Sequence, residues 1–521
     1  MPSRRTRYKK VETADSTDHR SHMESNQWTR YYFLHWLFVV PAIKKTVADL
    51  LKEFLRIMLS LTAPSGRRSR RSFLQIGTSG IGGLTLSGLL AARAEAENRG
   101  THLKNRSVVL LNCQGGPTQF ETFDPKMDAS VEIRSVTGEV KTSIPGVTFG
   151  GSLPLLAQRA HRMAVVRSYC HGISNHGQAA KHVMAGGNST GAMMGALYSL
   201  VAGITHPISG MPQNVLVTSQ CISRKYKDFY RNVDRVSQHG SLPSINRPFD
   251  PSSGGEIVAN MKVHLNSNRL NDRRTLLRGL DGLRRRMDAG GALESANRFQ
   301  QQAFDVLTRG GGDALDLSKE DPQVVAQYDT SRYEPTDEVK RRNEYAAQFS
   351  PVALGKQMLM ARRLCEAGCG FVTVTCPGWD MHGGGKEFRM TDGVASLTPA
   401  FDKAVSVFLD DVEDRGLTDQ ILLVITGEFG RTPKINKHGG RDHWGNLCTL
   451  AFAGGGLQAG QVVGRSDRIG GEPVSLPVSS GDVLATVMHS LFDLDQLRLK
   501  TGIRSDVQRI LTGGEPIREL V

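Results

Sequence analysis

The chain has 521 residues, of which 39% are hydrophobic and 22% are charged. These are the proportions of an ordinary globular protein, and a chain of this length can build a core without disulfide bonds. Its net charge of +14 is concentrated in residues 1–100, which hold 17 Lys and Arg against 8 Asp and Glu. Basic runs such as 284–286 are not interleaved with aromatic side chains, which argues against a nucleic-acid-binding protein.

Residues 66–96 have the order of a twin-arginine signal peptide. Arg70 and Arg71 stand in the segment Ser-Arg-Arg-Ser-Phe-Leu, and an uncharged, Gly-rich run follows at 76–90. Small-x-small sequences within 92–96 then offer cleavage sites. We therefore predict export by the twin-arginine machinery to the periplasm or cell envelope. The alternative is a short amphipathic helix that carries arginines by chance.

Residues 1–57 do not fit in front of such a signal peptide. A start at Met58 would place the arginine pair about a dozen residues from the N-terminus, as export signals require. We therefore predict that residues 1–57 are a mis-assigned extension and that 58–96 are the signal peptide. The apolar run Tyr31–Ile43 contains Pro41 and is shorter than the ~20 residues of a membrane span. No stable membrane span is expected in the mature chain.

Beyond the signal peptide, apolar runs alternate with helical patterns. Residues 107–112 form a continuous apolar run that ends in a Gly-rich loop, which is typical of a buried parallel strand. Further strands are expected at 163–167, 214–218, 371–375 and 421–426, and helices at 354–367 and 397–415. Strands that alternate with helices predict an α/β fold with a doubly wound, mostly parallel sheet.

Residues 97–521 are predicted to form this single α/β domain, with a helical insertion at about 221–350. The inserted segment is charged and poor in strand pattern, with helices expected at 269–287 and 293–307. Three glycines at 310–312 then interrupt the chain. The insertion is predicted to be a cap on the domain and not an independent catalytic unit.

Acidic and histidine side chains follow the predicted strands, where ligands bind in sheets of this type. Asp380-x-His382 comes just after one strand, and the alternation of an extended segment directs both side chains to the same side. Glu428 follows the next strand, and His443 lies in a Gly-Arg-Asp-His-Trp segment beyond it. Oxygen and nitrogen ligands together suit Zn²⁺, Mn²⁺ or Fe, and suit Ca²⁺ less. A divalent-metal site at Asp380, His382, Glu428 and His443 is therefore predicted.

Two arginines near these residues allow two interpretations. Arg431 and Arg441 could clamp the oxyanion of a phosphate or sulfate, because a guanidinium is a planar fork of donors. They could equally form structural ion pairs with Asp442 or Glu428. The sequence alone leaves both interpretations open.

The motifs as a set resemble an exported bacterial family, domain-of-unknown-function family 1501 (DUF1501). The segments that carry the resemblance occur in the family's order over residues 104–515: Gly-Gly-Pro-Thr-Gln with Phe-Asp-Pro-Lys, Gly-Trp-Asp-Met-His, Gly-Glu-Phe-Gly-Arg-Thr-Pro, and Gly-Arg-Asp-His-Trp. The family is grouped with the alkaline phosphatase-like and sulfatase-like α/β fold. The resemblance therefore implies a fold of that type.

Resemblance to this superfamily implies an enzyme that hydrolyses phosphate or sulfate esters. Such an enzyme would use a two-metal site and a Ser, Thr or modified Cys nucleophile. By this resemblance Asp380 and His382 correspond to an Asp/His ligand pair with shorter spacing. His443 corresponds to the distal His of the site. One or two Zn²⁺ or Mn²⁺ ions are the expected cofactors.

The sequence departs from the superfamily at two ligand positions. The position of the Asp after the first strand carries Gln114, or that ligand is displaced to Glu121 or Asp124. The late-strand Asp-His is Glu428-Phe429 in this chain, which removes one nitrogen ligand. A single metal ion bound by the retained residues is the simpler expectation.

The nucleophile position of the superfamily falls near His176, with Ser174 as the closest hydroxyl. His176 precedes a helix predicted at 177–184, so the helix dipole would disfavour imidazolium and keep the ring neutral. A neutral ring is the form that a nucleophile or base requires. The alternative is that His176 only caps the helix. His176, Ser174 and Arg431 are thus the predicted catalytic residues.

Two functions follow from these observations. The first is an exported metal-dependent hydrolase of phosphate or sulfate esters that acts on a small-molecule or glycan ester. The second is a non-catalytic relative that binds a ligand or an envelope partner. The retained Asp/His segments favour the hydrolase. The missing nitrogen ligand at 429 and the missing hydroxyl or thiol at 176 favour the binding protein.

Overall fold

The computed structural model describes residues 102–226, 230–254, 312–342, 351–384 and 387–521. The chain divides into two units, Met1–Arg93 and Ala94–Val521, and all described residues lie in the second. The predicted signal peptide and the helices predicted at 269–287 and 293–307 lie outside the described residues. Within the described part of the chain, no helix is long and apolar enough to cross a membrane.

The described residues contain one central sheet and three short ribbons. The central strands are β1 (Ser107–Cys113), β4 (Met163–Val166), β5 (Asn214–Val217), β6 (Phe371–Cys376), β7 (Ile421–Gly427), β10 (Leu450–Gly454) and β11 (Gln461–Val463). The ribbons pair β2 (Glu139–Lys141) with β3 (Thr148–Gly150), β8 (Gly430–Arg431) with β9 (His443–Trp444), and β12 (Arg465–Ser466) with β13 (Pro473–Ser475). The order across the central sheet is β11–β4–β10–β7–β1–β6–β5.

Six of the seven central strands run in one direction. β1 is parallel to both β6 and β7, with Val109 opposite Val372 and Leu423. β5 is parallel to β6, and β11 is parallel to β4. β10 is the exception, since it is antiparallel to β4 and β7. The predicted mostly parallel α/β sheet is confirmed, and the carboxyl ends of β1, β4, β6 and β7 lie at one edge.

The central strands are apolar runs because both faces of the sheet are covered. Along β1, Val109 and Leu111 enter the core on one face, and Val108 and Leu110 enter the core on the other. Each of these four side chains is at most 1% exposed. Burying one such side chain stabilises the fold by about 1.5–3 kcal/mol. These runs therefore hold the sheet between two apolar layers.

Helices supply the side chains of both layers. The α-helices of the described residues are α1 (Pro154–Gln158), α2 (His176–Ala185), α3 (Met194–Ala202), α4 (Tyr230–Arg235), α5 (Gly312–Leu315), α6 (Pro322–Gln327), α7 (Asp337–Arg342), α8 (Leu354–Glu366), α9 (Met390–Asp414), α10 (Ser480–Leu491), α11 (Leu494–Leu499) and α12 (Ser505–Thr512). Met358 of α8 and Phe401 of α9 pack in the core that contains Val109. Leu197 of α3 and Val487 of α10 pack in the core on the opposite face.

The element bounds differ from prediction mainly at α9. This helix was expected to begin at residue 397, but it begins at Met390 and contains Pro399. The additional turns form because Met390 and Val394 are buried in the same core as Phe401. The described parts of the predicted insertion hold the short helices α4 to α7. The seven cysteines all lie among the described residues, and none of them forms a disulfide bond.

Candidate metal centre

Strands carry three polar side chains to one edge of the sheet. Asp380 lies four residues after the end of β6, Glu428 directly follows β7, and His176 begins α2 after β4. Because these strands end at the same edge, residues distant in sequence come together. Asn175 caps α2 by accepting a hydrogen bond from the Gln178 backbone N–H at 3.2 Å. The helix cap is therefore Asn175 and not His176.

His443 reaches this edge through a hairpin that the sequence analysis did not predict. After β7 the chain forms β8, turns and returns as β9, so that Arg431 pairs with His443 and Gly430 pairs with Trp444. The indole N–H of Trp444 donates to the Gly471 carbonyl at 2.6 Å and anchors the returning strand. The hairpin thereby brings His443 to the loop that follows β6.

Ligand atoms of His176, Asp380 and His443 all lie within 4.8 Å of one another. His176 Nε2 is 3.1 Å from Asp380 Oδ2, and His443 Nε2 is 3.1 Å from Asp380 Oδ1. The two imidazole rings are edge to face, with centroids 4.3 Å apart. The three side chains are between 20% and 26% exposed. We call His176, Asp380 and His443 the metal cluster. The protein holds these three side chains in place, and solvent can still reach them.

The hydrogen bond at Nδ1 defines the tautomer of His443. Nδ1 lies 3.2 Å from the carbonyl oxygen of Ser174. A carbonyl can only accept, so Nδ1 carries a proton. In a neutral ring, Nε2 then directs its lone pair at Asp380 Oδ1, and the two groups repel each other. A cation between them, whether a proton or a metal ion, removes this repulsion.

His176 faces a carboxylate at each ring nitrogen. Nδ1 is hydrogen-bonded to Glu428 Oε2, and Nε2 is 3.1 Å from Asp380 Oδ2. Burial lowers the pKa of His176, but the hydrogen bonds and charges of both carboxylates outweigh burial and raise the pKa to about 9. The prediction of a neutral His176 is therefore wrong for the metal-free protein. The two carboxylates act at contact distance and exceed the effect of the helix dipole.

Asp380 is contacted by three histidines and one arginine. Besides the two histidines of the metal cluster, Oδ2 is 3.3 Å from His382 Nε2, and Oδ1 accepts from Arg431 Nη2 at 2.8 Å. Burial alone would raise the pKa of Asp380, but these partners lower it far below the usual range. Asp380 is therefore ionised throughout the neutral pH range, which is the form that binds a cation.

Arg431 is completely buried, and each of its three side-chain nitrogens donates to the protein. Its guanidinium donates to the carbonyl oxygens of Gly115, Gly116, Trp379 and Arg441 and to Asp380 Oδ1. The predicted role of Arg431 as a clamp for a substrate anion is therefore corrected. Arg431 holds Asp380 in place and joins the loops after β1 and β6. Its ionic partner is Asp380, and not Asp442 or Glu428.

Arg441 has a similar structural role. Its guanidinium donates to the carbonyl oxygens of Ile133 at 2.7 Å, Arg134 at 3.0 Å, Thr432 at 3.3 Å and Pro433. The guanidinium carbon lies 4.2 Å from the centroid of the Phe120 ring. Burial lowers the pKa of Arg441 to about 10. Arg441 is fully buried, so it joins two loops and does not face a substrate.

Two glycines after β1 allow its loop to pass directly beneath the metal cluster. Gly115 and Gly116 have φ angles of +104° and +90°, which other residues rarely adopt. A Cβ on Gly115 would lie 2.5 Å from the backbone nitrogen of Asp380, and one on Gly116 would lie 2.5 Å from the Phe429 ring. The Gly-Gly pair of the first motif is therefore explained by close backbone packing.

Comparisons with known proteins assign the family. The sequence matches the DUF1501 family, described as proteins of unknown function, over residues 105–521. The chain belongs to this family. No curated protein matches the sequence.

Several solved structures are distantly similar to this DUF1501 protein. The lipoteichoic acid synthase LtaP from Listeria monocytogenes has 8% identity, with 82% of this chain and 84% of that chain covered and a TM-score of 0.34. The phosphonate monoester hydrolase SpPMH from Silicibacter pomeroyi has 11% identity, coverages of 79% and 77% and a TM-score of 0.32. The PsFucS1 sulfatase from Pseudoalteromonas sp. has 14% identity, coverages of 75% and 71% and a TM-score of 0.30. TM-scores this low add nothing to the description of the site.

The two carboxylates considered as displaced ligands have structural partners in this DUF1501 protein. Glu121 is fully buried, and its carboxylate accepts hydrogen bonds from backbone and hydroxyl groups of residues 135–137. Asp124 accepts from the Ser466 hydroxyl and forms an ion pair with Lys126 at 3.2 Å. Neither belongs to the metal cluster found among the described residues. The structure therefore gives both carboxylates structural partners and brings neither of them to the metal cluster.

Glu428 supports His176 and is not one of the converging ligands. Its carboxylate contacts Nδ1, the ring nitrogen that faces away from Asp380. The Glu428 backbone carbonyl accepts from His171 Nε2 at 2.9 Å, and His171 Nδ1 accepts from the Ile173 backbone N–H at 3.1 Å. A carboxylate behind a histidine is the usual support of a metal ligand. His171 was not among the predicted site residues, because no local sequence pattern indicates its hydrogen bond to Glu428.

Ser174 and His382, the remaining predicted site residues, also surround the metal cluster without joining it. Ser174 Oγ accepts from the Gly445 backbone N–H at 3.0 Å, and its carbonyl accepts from His443. Ser174 therefore positions β9. His382 is 29% exposed and reaches the metal cluster through Asp380. The sequence analysis assigned His176 to catalysis, whereas the structure places it among the candidate ligands.

Proposed function

We propose that this protein is an exported metal-dependent hydrolase of phosphate or sulfate esters. The observation that carries the proposal is the convergence of His176, Asp380 and His443 at the carboxyl edge of the sheet. Two imidazole nitrogens and a carboxylate form a donor set that suits Zn²⁺ or Mn²⁺. The ester class rests on the sequence resemblance to alkaline phosphatase-like and sulfatase-like proteins, and a small-molecule or glycan ester is the proposed substrate.

One ion fits the donor set. His443 donates Nδ1–H to the Ser174 carbonyl and presents Nε2, and His176 donates Nδ1–H to Glu428 and presents Nε2. Together with Asp380 these are three protein ligands, the number typical of catalytic zinc sites. Within the described residues, no second group of this kind is found. A divalent ion held there would supply a Lewis acid for an ester oxygen.

His382 is the side chain proposed to deliver a proton. Its Nε2 lies 3.3 Å from Asp380 Oδ2, and the hydrogen bond with Asp380 raises the pKa of His382. His382 can therefore hold a proton at Nε2 and donate it to a leaving oxygen. Both ring nitrogens of His176 are engaged, so a water molecule is the proposed nucleophile in place of this residue.

A non-catalytic metal-binding relative is the second candidate. It is favoured by the same engagement of His176, since the side chain at the nucleophile position has no free nitrogen. Turnover of 4-nitrophenyl phosphate and 4-nitrophenyl sulfate by metal-saturated protein distinguishes the two functions. Hydrolysis of either ester supports the hydrolase. Full metal occupancy without turnover of either ester supports the binding protein.

The pH dependence of stability tests whether a proton and a metal ion compete for the metal cluster. In metal-free protein the pKa of His176 is about 9, above its usual 6.5. The protonated ring therefore stabilises the fold fully below pH 6.5, and this contribution is lost as the pH rises towards 9. We expect Tm of metal-free protein to fall by a few degrees between pH 6.5 and 9, relative to metal-saturated protein. Parallel pH profiles of the two forms would contradict this.

Export rests on the sequence segment around Arg70 and Arg71. We expect that the double change Arg70→Lys, Arg71→Lys keeps the precursor in the cytoplasm, because the export machinery requires the arginine pair. The measurement is the fraction of protein in the periplasm and the N-terminal sequence of the mature chain, which should begin near Glu95 or Glu97. Normal export of the double-lysine variant would show that the twin-arginine prediction is wrong.

A further inference from the structure

A cavity of about 890 Å³ lies at the amino edge of the central sheet. Its walls include the residues that lead into β1, β6 and β7 and the carboxyl end of α8. The metal cluster lies at the carboxyl edge, and the seven residues of β1 span about 20 Å between the two edges. The amino-edge cavity is therefore a separate site, and its volume suits a small organic molecule.

Two basic side chains, Lys104 and Arg106, line the amino-edge cavity, and both are half-buried. Lys104 donates to the His489 carbonyl at 2.7 Å. The guanidinium of Arg106 lies against Gly456. Among the described residues, the Arg106 side chain donates to no hydrogen-bond acceptor and forms no ion pair with a carboxylate. The acidic residue among the described lining residues is Glu366, which is already paired with Arg362 and Arg415. The positive charge of the cavity therefore has no counter-charge within it.

The electrostatic effect of this positive charge is visible in the neighbouring groups. Burial and the charge of Arg106 lower the pKa of Lys104, although Asp493 opposes them. Burial and the charges of Lys104 and Arg106 also lower the pKa of His489. An anion close to Lys104 and Arg106 would offset the repulsion between these two positive charges. A carboxylate, phosphate or sulfonate would also give Arg106 a bidentate partner.

The other walls combine fixed polar groups with apolar surface. The Tyr198 hydroxyl donates to Gln213 Oε1 at 3.1 Å, and Gln213 Nε2 donates to the Gly368 carbonyl at 2.7 Å. Ala202 and Leu417 add apolar surface. We propose that the amino-edge cavity binds a small organic anion, whose charged group lies between Lys104 and Arg106 and whose apolar body lies against this wall.

Naphthalene-1-sulfonate is a suitable probe, and naphthalene-1-sulfonamide is its uncharged counterpart. By calorimetric titration of metal-saturated protein, we expect the sulfonate to bind about tenfold more tightly than the sulfonamide, because only the sulfonate makes charge-assisted hydrogen bonds. Arg106→Gln, alone or with Lys104→Gln, should weaken sulfonate binding by about tenfold or more. The exposed Arg504→Gln is the matched control and should bind like wild type.

A third variant separates this cavity from the metal cluster. His443→Ala should bind naphthalene-1-sulfonate as wild type does, whatever its metal content. No binding by wild-type protein at millimolar sulfonate, or unchanged affinity in the Arg106→Gln variant, would overturn the proposal. Loss of binding in His443→Ala would also overturn it, because the anion would then be bound at the metal cluster.

Discussion

Replacing Asp380 with asparagine is expected to remove the bound metal ion. Asp380 contacts both histidines of the metal cluster and contributes its only carboxylate. The asparagine keeps a hydrogen-bond acceptor for Arg431 but lacks the negative charge. A metal ion that binds only the folded state adds about 2.7 kcal/mol at a concentration 100-fold above Kd. We therefore expect Asp380→Asn to show no rise in Tm on adding Zn²⁺ or Mn²⁺, with metal content measured by mass spectrometry.

Two further variants are compared with Asp380→Asn: one should weaken metal binding in part, and the other is a control. Glu428→Gln should weaken metal binding by about 10- to 100-fold without abolishing it, because Glu428 orients His176 and does not converge on the ion. His438→Ala removes an exposed histidine of the same hairpin that lies outside the metal cluster, and should bind metal like wild type. Undiminished metal content in Asp380→Asn, or equal losses in all three variants, would contradict the assignment.

Replacing Arg431 with methionine is expected to be the most destabilising single change at the site. The methionine leaves four carbonyl oxygens and Asp380 without their buried donor. Removal of one partner from a buried ion pair costs about 3–5 kcal/mol. We expect the free energy of unfolding in urea to fall by about this amount. Metal binding should weaken as well, because Arg431 also fixes the carboxylate of Asp380.

Arg504→Met is the control for this effect. Arg504 is 49% exposed and pairs with Asp506 at the surface, so its replacement should change the free energy of unfolding by less than about 1 kcal/mol. If Arg431→Met were as stable as Arg504→Met, Arg431 would not hold the loops together. The role of Arg431 as an anion clamp would then have to be reconsidered.

Much of the sheet could be predicted from the sequence, because its strands are buried on both faces. Residues 107–112 and 421–426 are continuous apolar runs, and the structure places them side by side as β1 and β7. Asp380 and His443 were predicted as ligands because each lies in a Gly-flanked polar segment near the carboxyl edge. These features are local in sequence, so pattern and spacing are sufficient to find them.

The long-range partners could not be predicted in this way. His443 returns to the site through a two-residue ribbon, β8–β9, which is too short to leave a strand pattern. Arg431 is buried among carbonyl groups of its own hairpin and of two distant loops, and no sequence pattern separates such an arginine from one that binds an anion. His176 was predicted to be neutral from its helix alone. Its pKa is set by Glu428 and Asp380, which lie more than 200 positions away in the chain.

The central claim is that His176, Asp380 and His443 bind a divalent metal ion, and metal analysis of the wild-type protein tests it most directly. Protein purified without chelator should contain about one Zn²⁺ or Mn²⁺ per chain, as three protein ligands imply. Treatment with EDTA should remove the ion and lower Tm, and adding the ion back should restore both. Wild-type protein that contains no metal and gains no stability from added Zn²⁺ or Mn²⁺ would contradict the claim.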